Sequence, residues 1–357
     1  MHILPSGIFE ISRNAVFDQV NNHQNNIAAL CTHSSANAEL IVIGKSEQAR
    51  DIFAIRLGKG PIKISLLSGS HSDEPVGTET LSHFIQYLIQ NAAQNPHLFE
   101  QYTFHILPHL NPDGAVHNQK WIAAWPDLRA YLLHAFRELP GRDVEFGYPD
   151  MRLENIAASD YLQKHAPFDL HMSLHGMGFS EGAMLLIERS WIEKTDHLRK
   201  RFVNSVHGAG LGLHAHDRHG EKGFTYIGPG FTTTPESPAM RQFFLEKNDK
   251  EMANKFHQNS MEFVRSLGGN PLCLVTELPL FCINKKFPDH APGYPVAYLR
   301  FNQEKANILA ALQKGQSIES TINEFNIEPV PLHKAMTLQL QAIDAALEII
   351  HDQKMGN

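Results

Sequence analysis

The sequence predicts an α/β protein with a mixed, mostly parallel central sheet flanked by helices. Three observations carry this. Short segments rich in β-branched residues close on glycine, as buried strands do. A helical segment with a single apolar stripe follows them. Strand-like and helix-like segments then alternate down the chain, the pattern of an α/β domain.

ELIVIG (39–44), DIFAIRLG (51–58) and IKISLLSG (62–69) read as the first three strands. Between Gly77 and Asn91, residues Leu81, Phe84, Ile85, Leu88 and Ile89 recur at helical spacing and form one apolar face. YTFHIL (102–107) is a strand, and HLNPDG after it is a turn signal. DLRAYLLHAFRE (127–138) reads as a helix stopped by Pro140-Gly141. FDLHMSLHG (168–176) and MLLIE (184–188) are strands, followed by a helix near 192–206. Residues 207–238, dense in Gly, Pro and Thr, read as an extended loop, and 239–266 as one helix. PLCLVTELP (271–279) is a short buried strand. From about 303 the pattern is helical, with Leu309, Leu312, Leu338, Leu340, Ile343, Leu347 and Ile350.

Of the 357 residues, 42% are apolar and 19% charged, enough for a sizeable core. The net charge of −7, without any basic block, argues against nucleic acid and anionic membranes as partners. No apolar run approaches the roughly 20 residues of a membrane span, and MHILPSGIFEISRN lacks the layout of a secretory signal. Three cysteines (Cys31, Cys273, Cys282) cannot make a disulfide framework, so a cytoplasmic location is expected. With 22 histidines present, only those with fitting neighbours carry weight.

One such place is SGSHSDEPVG. His71 lies just past a strand's C-terminal edge, where open α/β sheets put their chemistry, and Glu74 follows at the entry to a helix. Imidazole and carboxylate are good zinc ligands, and catalytic zinc takes three protein ligands plus water. An isolated H-x-x-E is a weak signal. On the strand FDLHMSLHG, however, His171, Ser173 and His175 share one face, and either histidine is placed to be a third ligand. Glu277, inside the apolar LVTELP, is costly to bury without a partner or a task.

Together these segments resemble the M14 class of zinc carboxypeptidases. The likeness runs from IVIGKSEQARDIFAIRLGKG through SGSHSDEPVG, LNPDG and SLHGM to LVTELP, in the family's order, over roughly residues 39–280. It implies His71, Glu74 and His175 as ligands of one Zn2+ per chain, and Glu277 as general base and acid. It also implies a catalytic domain over 1–302, with 303–357 a helical segment packed on it. The substrate implied is a peptide or small amide, with C-terminal residues removed. Related amidoacylases of the same fold carry a D-L-H ligand motif, which would select His171. The distance from SLHG to AMLLIE favours His175.

The family polarises the scissile carbonyl with an arginine and grips the terminal carboxylate with an Asn-Arg pair. Here Ile122, not arginine, follows Trp121. At the Asn-Arg position PGRDVEFG offers Gly141 before Arg142, which makes Arg142 the candidate for substrate carboxylate binding. Arg129 and Arg137 are the candidates for the carbonyl, and Tyr226 for the family's active-site tyrosine. HAHDRHG (214–220) evokes binuclear metal sites, but Arg218 interrupts the order they need, so it reads as a polar loop. GAGLG (208–212) has no preceding strand and is no dinucleotide fingerprint. Two other functions stand beside the peptidase: an N-acyl amino-acid deacylase with the same zinc and glutamate, and a non-catalytic zinc- or peptide-binding relative.

Overall fold

The computed structural model describes residues 2–18, 20–31, 37–287 and 292–356. The strands are β1 (Glu39–Lys45), β2 (Asp51–Gly58), β3 (Ile62–Ser68), β4 (Tyr102–Leu107), β5 (Leu170–Ser180), β6 (Met184–Ile187), β7 (Tyr226–Gly228), β8 (Phe231–Thr233), β9 (Leu272–Ile283) and β10 (Ile327–Pro329). They form one mixed sheet in the order β1-β2-β4-β3-β5-β9-β6-β8-β7, with β10 also paired to β9. Parallel pairing runs through the centre, β4-β3-β5-β9, and recurs between β6 and β8. The β1-β2-β4 side is antiparallel, as are β6 on β9, β7 on β8 and β10 on β9.

Alternation along the central strands explains the layers. In β5, Leu170, Met172 and Leu174 enter the main core, which includes Leu81, Phe84, Ile85 and Leu88 of the helix Val76–Gln90 and Leu338, Ile343 and Leu347 of the helix Leu332–Met355. His171, Ser173 and His175 point to the opposite face. On that side a second core joins Leu67, Leu107 and Phe168 to Ala157, Ala158 and Leu162 of the helix Leu153–His165 and to Phe263 and Val264 of the helix Ser260–Ser266.

Helix boundaries depart from the sequence reading in several places. NPDG is a helix start, not a plain turn: Asn111 Oδ1 accepts from Gly114 N at 2.9 Å, and Pro112 opens the helix Pro112–Ile122. The helix expected over 127–138 ends at His134. The one expected over 239–266 is three helices, Ser237–Glu246, Lys250–Ala253 and Ser260–Ser266, broken where Asn248 takes φ 60° and where Asn259 caps the last. The loop region 207–238 contains β7 and β8. Near 192–206 a 3-10 turn, Arg189–Lys194, precedes the helix Asp196–Gly208.

The helix Val296–Gln313 crosses the expected boundary at 302/303, so that boundary divides no structural unit. Further on, Gln339 of the helix Leu332–Met355 is fully buried. Its Nε2 donates to the His175 carbonyl at 3.2 Å and to Thr276 Oγ1 at 3.1 Å, while its Oε1 accepts from Thr80 Oγ1 at 2.6 Å. No helix among the described residues is long and apolar enough to cross a membrane.

Candidate metal centre

The site is built just past the C-terminal end of β3 and at the middle of β5, which runs on past His175 to Ser180 where the sequence reading ended it at Gly176. After Ser68 the chain turns through Gly69 at φ +71°, a left-handed position where a Cβ would crowd the His109 and Leu110 backbone at 3.3 Å. That turn delivers His71, and Glu74 N bonds back to the His71 carbonyl at 3.2 Å. Gly77 then lets the helix Val76–Gln90 begin almost in contact with β5, since a Cβ there would meet the Leu174 carbonyl oxygen at 2.4 Å. This close approach brings Glu74 beside His175.

Three ligand atoms converge. His175 Nδ1 lies 3.0 Å from His71 Nδ1 and 2.8 Å from Glu74 Oε2, and His71 Nδ1 lies 3.1 Å from Glu74 Oε2. Among the described residues this is the group of His, Cys, Asp and Glu side chains with donors gathered closely enough for a metal. Each imidazole turns its other nitrogen to a carboxylate: His71 Nε2 is 3.2 Å from Asp143 Oδ1, and His175 Nε2 is 3.2 Å from Glu145 Oε2. Glu145 is itself fixed by Ser260, whose N and Oγ donate to its Oε1 at 3.1 and 2.7 Å. Two imidazoles with carboxylates behind them and a third carboxylate in front form a donor set that suits zinc.

The local field favours positive charge. Burial and the neighbouring His71 would lower His175, but Glu145 and Glu74 raise it to about 9. Burial and Arg137 likewise oppose a charged His71, yet Glu74 and Asp143 carry it well above its ordinary value. Burial alone would raise Glu74; Arg137 and His71 hold it well below the usual carboxylate range.

Glu277 is shifted the opposite way from Glu74. Burial, then the Glu74 charge, push it up to about 8. It is the Cα register partner of His175 across β5 and β9, and its Oε2 has no hydrogen-bond partner among the described residues. Both residues line a cleft of ≈ 510 Å³ with His71, Glu74, Arg137 and Glu145.

His171 is placed elsewhere. It is buried four residues back on β5, bonded through Nδ1 to Ser65 Oγ at 3.0 Å, and burial drives its pKa down to about 4. The three candidate arginines separate. Arg137 lines the cleft, its Nε donating to Asp73 Oδ1 at 2.5 Å and its Nη2 to Glu74. Arg142 does not: it pairs with Glu47 beside a separate surface hollow. Arg129 pairs with exposed Glu319 at 3.2 Å, also away from the cleft. Tyr226 is absent from the cleft lining, which holds Tyr131 and Tyr298. His214 and His216 pack edge-on against Tyr298, with ring centroids 4.9 and 5.8 Å away, and the following Arg218 reaches the cleft. The three cysteines are free, Cys273 and Cys282 buried.

Sequence reasoning passed over Asp143 and Glu145. The available signal was two acids in i, i+2 spacing within the very segment, PGRDVEFG, from which Arg142 was drawn.

The chain is similar to known carboxypeptidases in sequence and in fold. The zinc carboxypeptidase family model matches residues 24–184, a stretch that contains His71, Glu74 and His175 and ends before Glu277. Mouse carboxypeptidase M is 28% identical over 184 residues, covering 45% of this chain and 40% of that protein. The inactive metallocarboxypeptidase ECM14 of Paracoccidioides brasiliensis (strain Pb18) is 30% identical over 121 residues, 31% of this chain and 20% of that protein. The matches thus span less than half the length of these relatives. The crystal structure of carboxypeptidase A from Helicoverpa armigera shares the fold, with a TM-score of 0.55 at 12% identity, covering 97% of this chain and 76% of that one.

Proposed function

We propose that this chain, a relative of the M14 zinc carboxypeptidases, is a zinc-dependent amide hydrolase that releases residues from the C-terminal end of peptides. One observation carries the reading. His71, Glu74 and His175 bring three ligand atoms to a single point, in a cleft whose wall holds an acid with a free oxygen, Glu277.

His71, Glu74 and His175 would hold the zinc, which would supply Lewis acidity toward water and the amide carbonyl. Glu277 accepts the proton of the attacking water and returns it to the leaving amine nitrogen, a step worth typically ~10²–10⁴-fold. Positive charge at the ligand cluster opposes the burial and the Glu74 charge that raise Glu277, and so acts toward its ionised, proton-accepting form. Arg137 holds Glu74 and Asp73 in place, while Asp143 and Glu145 fix the imidazole orientations.

The test combines zinc content by plasma mass spectrometry with hydrolysis of peptides bearing free or amidated C-termini, and of N-acyl amino acids. One zinc per chain with cleavage of free-ended peptides is the expected result. Cleavage confined to acylated amino acids would replace it with a deacylase. No turnover of any amide by the zinc-loaded protein would leave a binding protein.

A further inference from the structure

The cleft cations are not equivalent. Arg137 is committed to Asp73 and Glu74, and Lys222 lies 3.7 Å from Glu221. Arg218 and Lys305 have no carboxylate within ion-pair distance among the described residues. Meanwhile the segment that the sequence offered for gripping a substrate carboxylate presents something else. Arg142 is tied to Glu47 outside the cleft, and Glu145 and Phe146 are the residues from that segment that line it. An acid and a ring make a poor seat for an anion.

Arg218 is built differently from Lys305. Its guanidinium carbon stands 4.2 Å from the centroid of the Phe224 ring, and the side chain is half-buried. This cation–ring contact restrains the guanidinium beside the cleft, and no carboxylate among the described residues takes its N–H groups. The loop carrying it is braced by His214 and His216 against Tyr298. Phe224 in turn packs on the cluster of Met184, Leu186, Met261 and Val275. Lys305 is a flexible, exposed side chain of the helix Val296–Gln313, its ammonium 5.6 Å from the Phe179 ring.

We propose that Arg218 is a specificity-determining residue that receives a carboxylate of the substrate, while the methionine-lined wall beside it takes an adjoining apolar group. This rests on the amide-hydrolase reading. It moves the anion anchor from the Arg142 segment to the HAHDRHG loop, and it gives that loop a task. A C-terminal carboxylate and an acidic side chain present the same pair of oxygens to the fork.

The experiment measures kcat and KM of the zinc-loaded protein, and of its Arg218→Ala, Arg218→Lys, Lys305→Ala and Arg142→Ala variants. The substrates are three matched peptides: free C-terminus, amidated C-terminus, and amidated with a glutamate next to the scissile bond. Arg218→Ala should raise KM and lower the preference for carboxylate-bearing over fully amidated peptide by about 10- to 100-fold, the usual worth of a charge-assisted pair. Arg218→Lys should keep part of the preference, and Arg142→Ala should show none of the loss. Which of the two carboxylate peptides loses more identifies the source of the anion. An unchanged preference in Arg218→Ala, or a loss seen in Lys305→Ala instead, overturns the proposal. Calorimetric binding of the free-ended peptide to Glu277→Gln, with and without Arg218→Ala, keeps the two readings apart. Weakened binding supports the Arg218 anchor even if no amide is hydrolysed, and equal binding refutes it.

Discussion

His175 and Glu277 are paired across adjacent parallel strands, so one backbone register sets the distance between a metal-ligand candidate and the candidate base. Residues in register on neighbouring strands project to the same face. The relation therefore needs no loop to maintain it, and it makes the chemistry of the site as rigid as the middle of the sheet.

Glu277→Gln keeps shape and removes the proton acceptor. Zinc content should stay near one per chain while kcat falls by ~10²–10⁴-fold. Steady-state kinetics on metal-verified protein checks this, and normal turnover in the variant would remove Glu277 from its role.

Replacing either imidazole should empty the centre. His71→Ala and His175→Ala should each lose bound zinc after dialysis. Wild-type protein should gain thermal stability on zinc addition, by about 2.7 kcal/mol at a metal concentration 100 times the dissociation constant. Thermal scans with and without chelator, on all three proteins, provide the comparison. A variant that still responds to zinc like the wild type would count against the ligand set.

Arg137 and Arg142 should behave oppositely. Arg137 is bonded to Glu74, and loss of such an outer partner weakens metal affinity or activity by about 10- to 100-fold. Arg142 forms a half-exposed pair with Glu47, and removing it should change stability by about 1 kcal/mol or less. Competitive zinc titration and urea unfolding of the two alanine variants measure both effects.

His171 should matter to acid stability and not to metal. Its folded pKa of about 4 lies below the ordinary value of 6.5. The unfolded chain thus takes up a proton that the folded one refuses. That contribution to stability is complete above pH ~6.5 and is lost as pH falls toward ~4. His171→Asn should therefore bind zinc normally and lose about 2 kcal/mol less stability than wild type between pH 7 and 5. Urea unfolding at both pH values tests the sign as well as the size.

What could be read in advance followed local pattern. β1 to β5 and the helix Val76–Gln90 announce themselves by spacing that their own residues carry; His71 and Glu74 follow the end of β3 as expected, whereas His175 stands in the middle of a strand that continues to Ser180. The helix Leu153–His165 escaped because its buried side includes Glu154, Asn155, Ala157, Ala158 and Ser159, which draw no apolar stripe. The arginines were undecidable for a different reason. Whether Arg137 or Arg142 faces the cleft depends on Asp73 and Glu74 for one, and on Glu47 for the other, partners 63 to 95 positions away. Asp143 and Glu145 acquire meaning only when folding sets them behind two imidazoles, one in the turn after β3 and one on β5.

The Gln339 amide ties a long terminal helix to the backbone of His175, 164 positions upstream. A cut that removes Gln339 leaves a buried carbonyl and two hydroxyls without their common clasp, directly beneath the reaction centre. Damage to that helix at Gln339 would register first as a loosened floor beneath the ligand cluster.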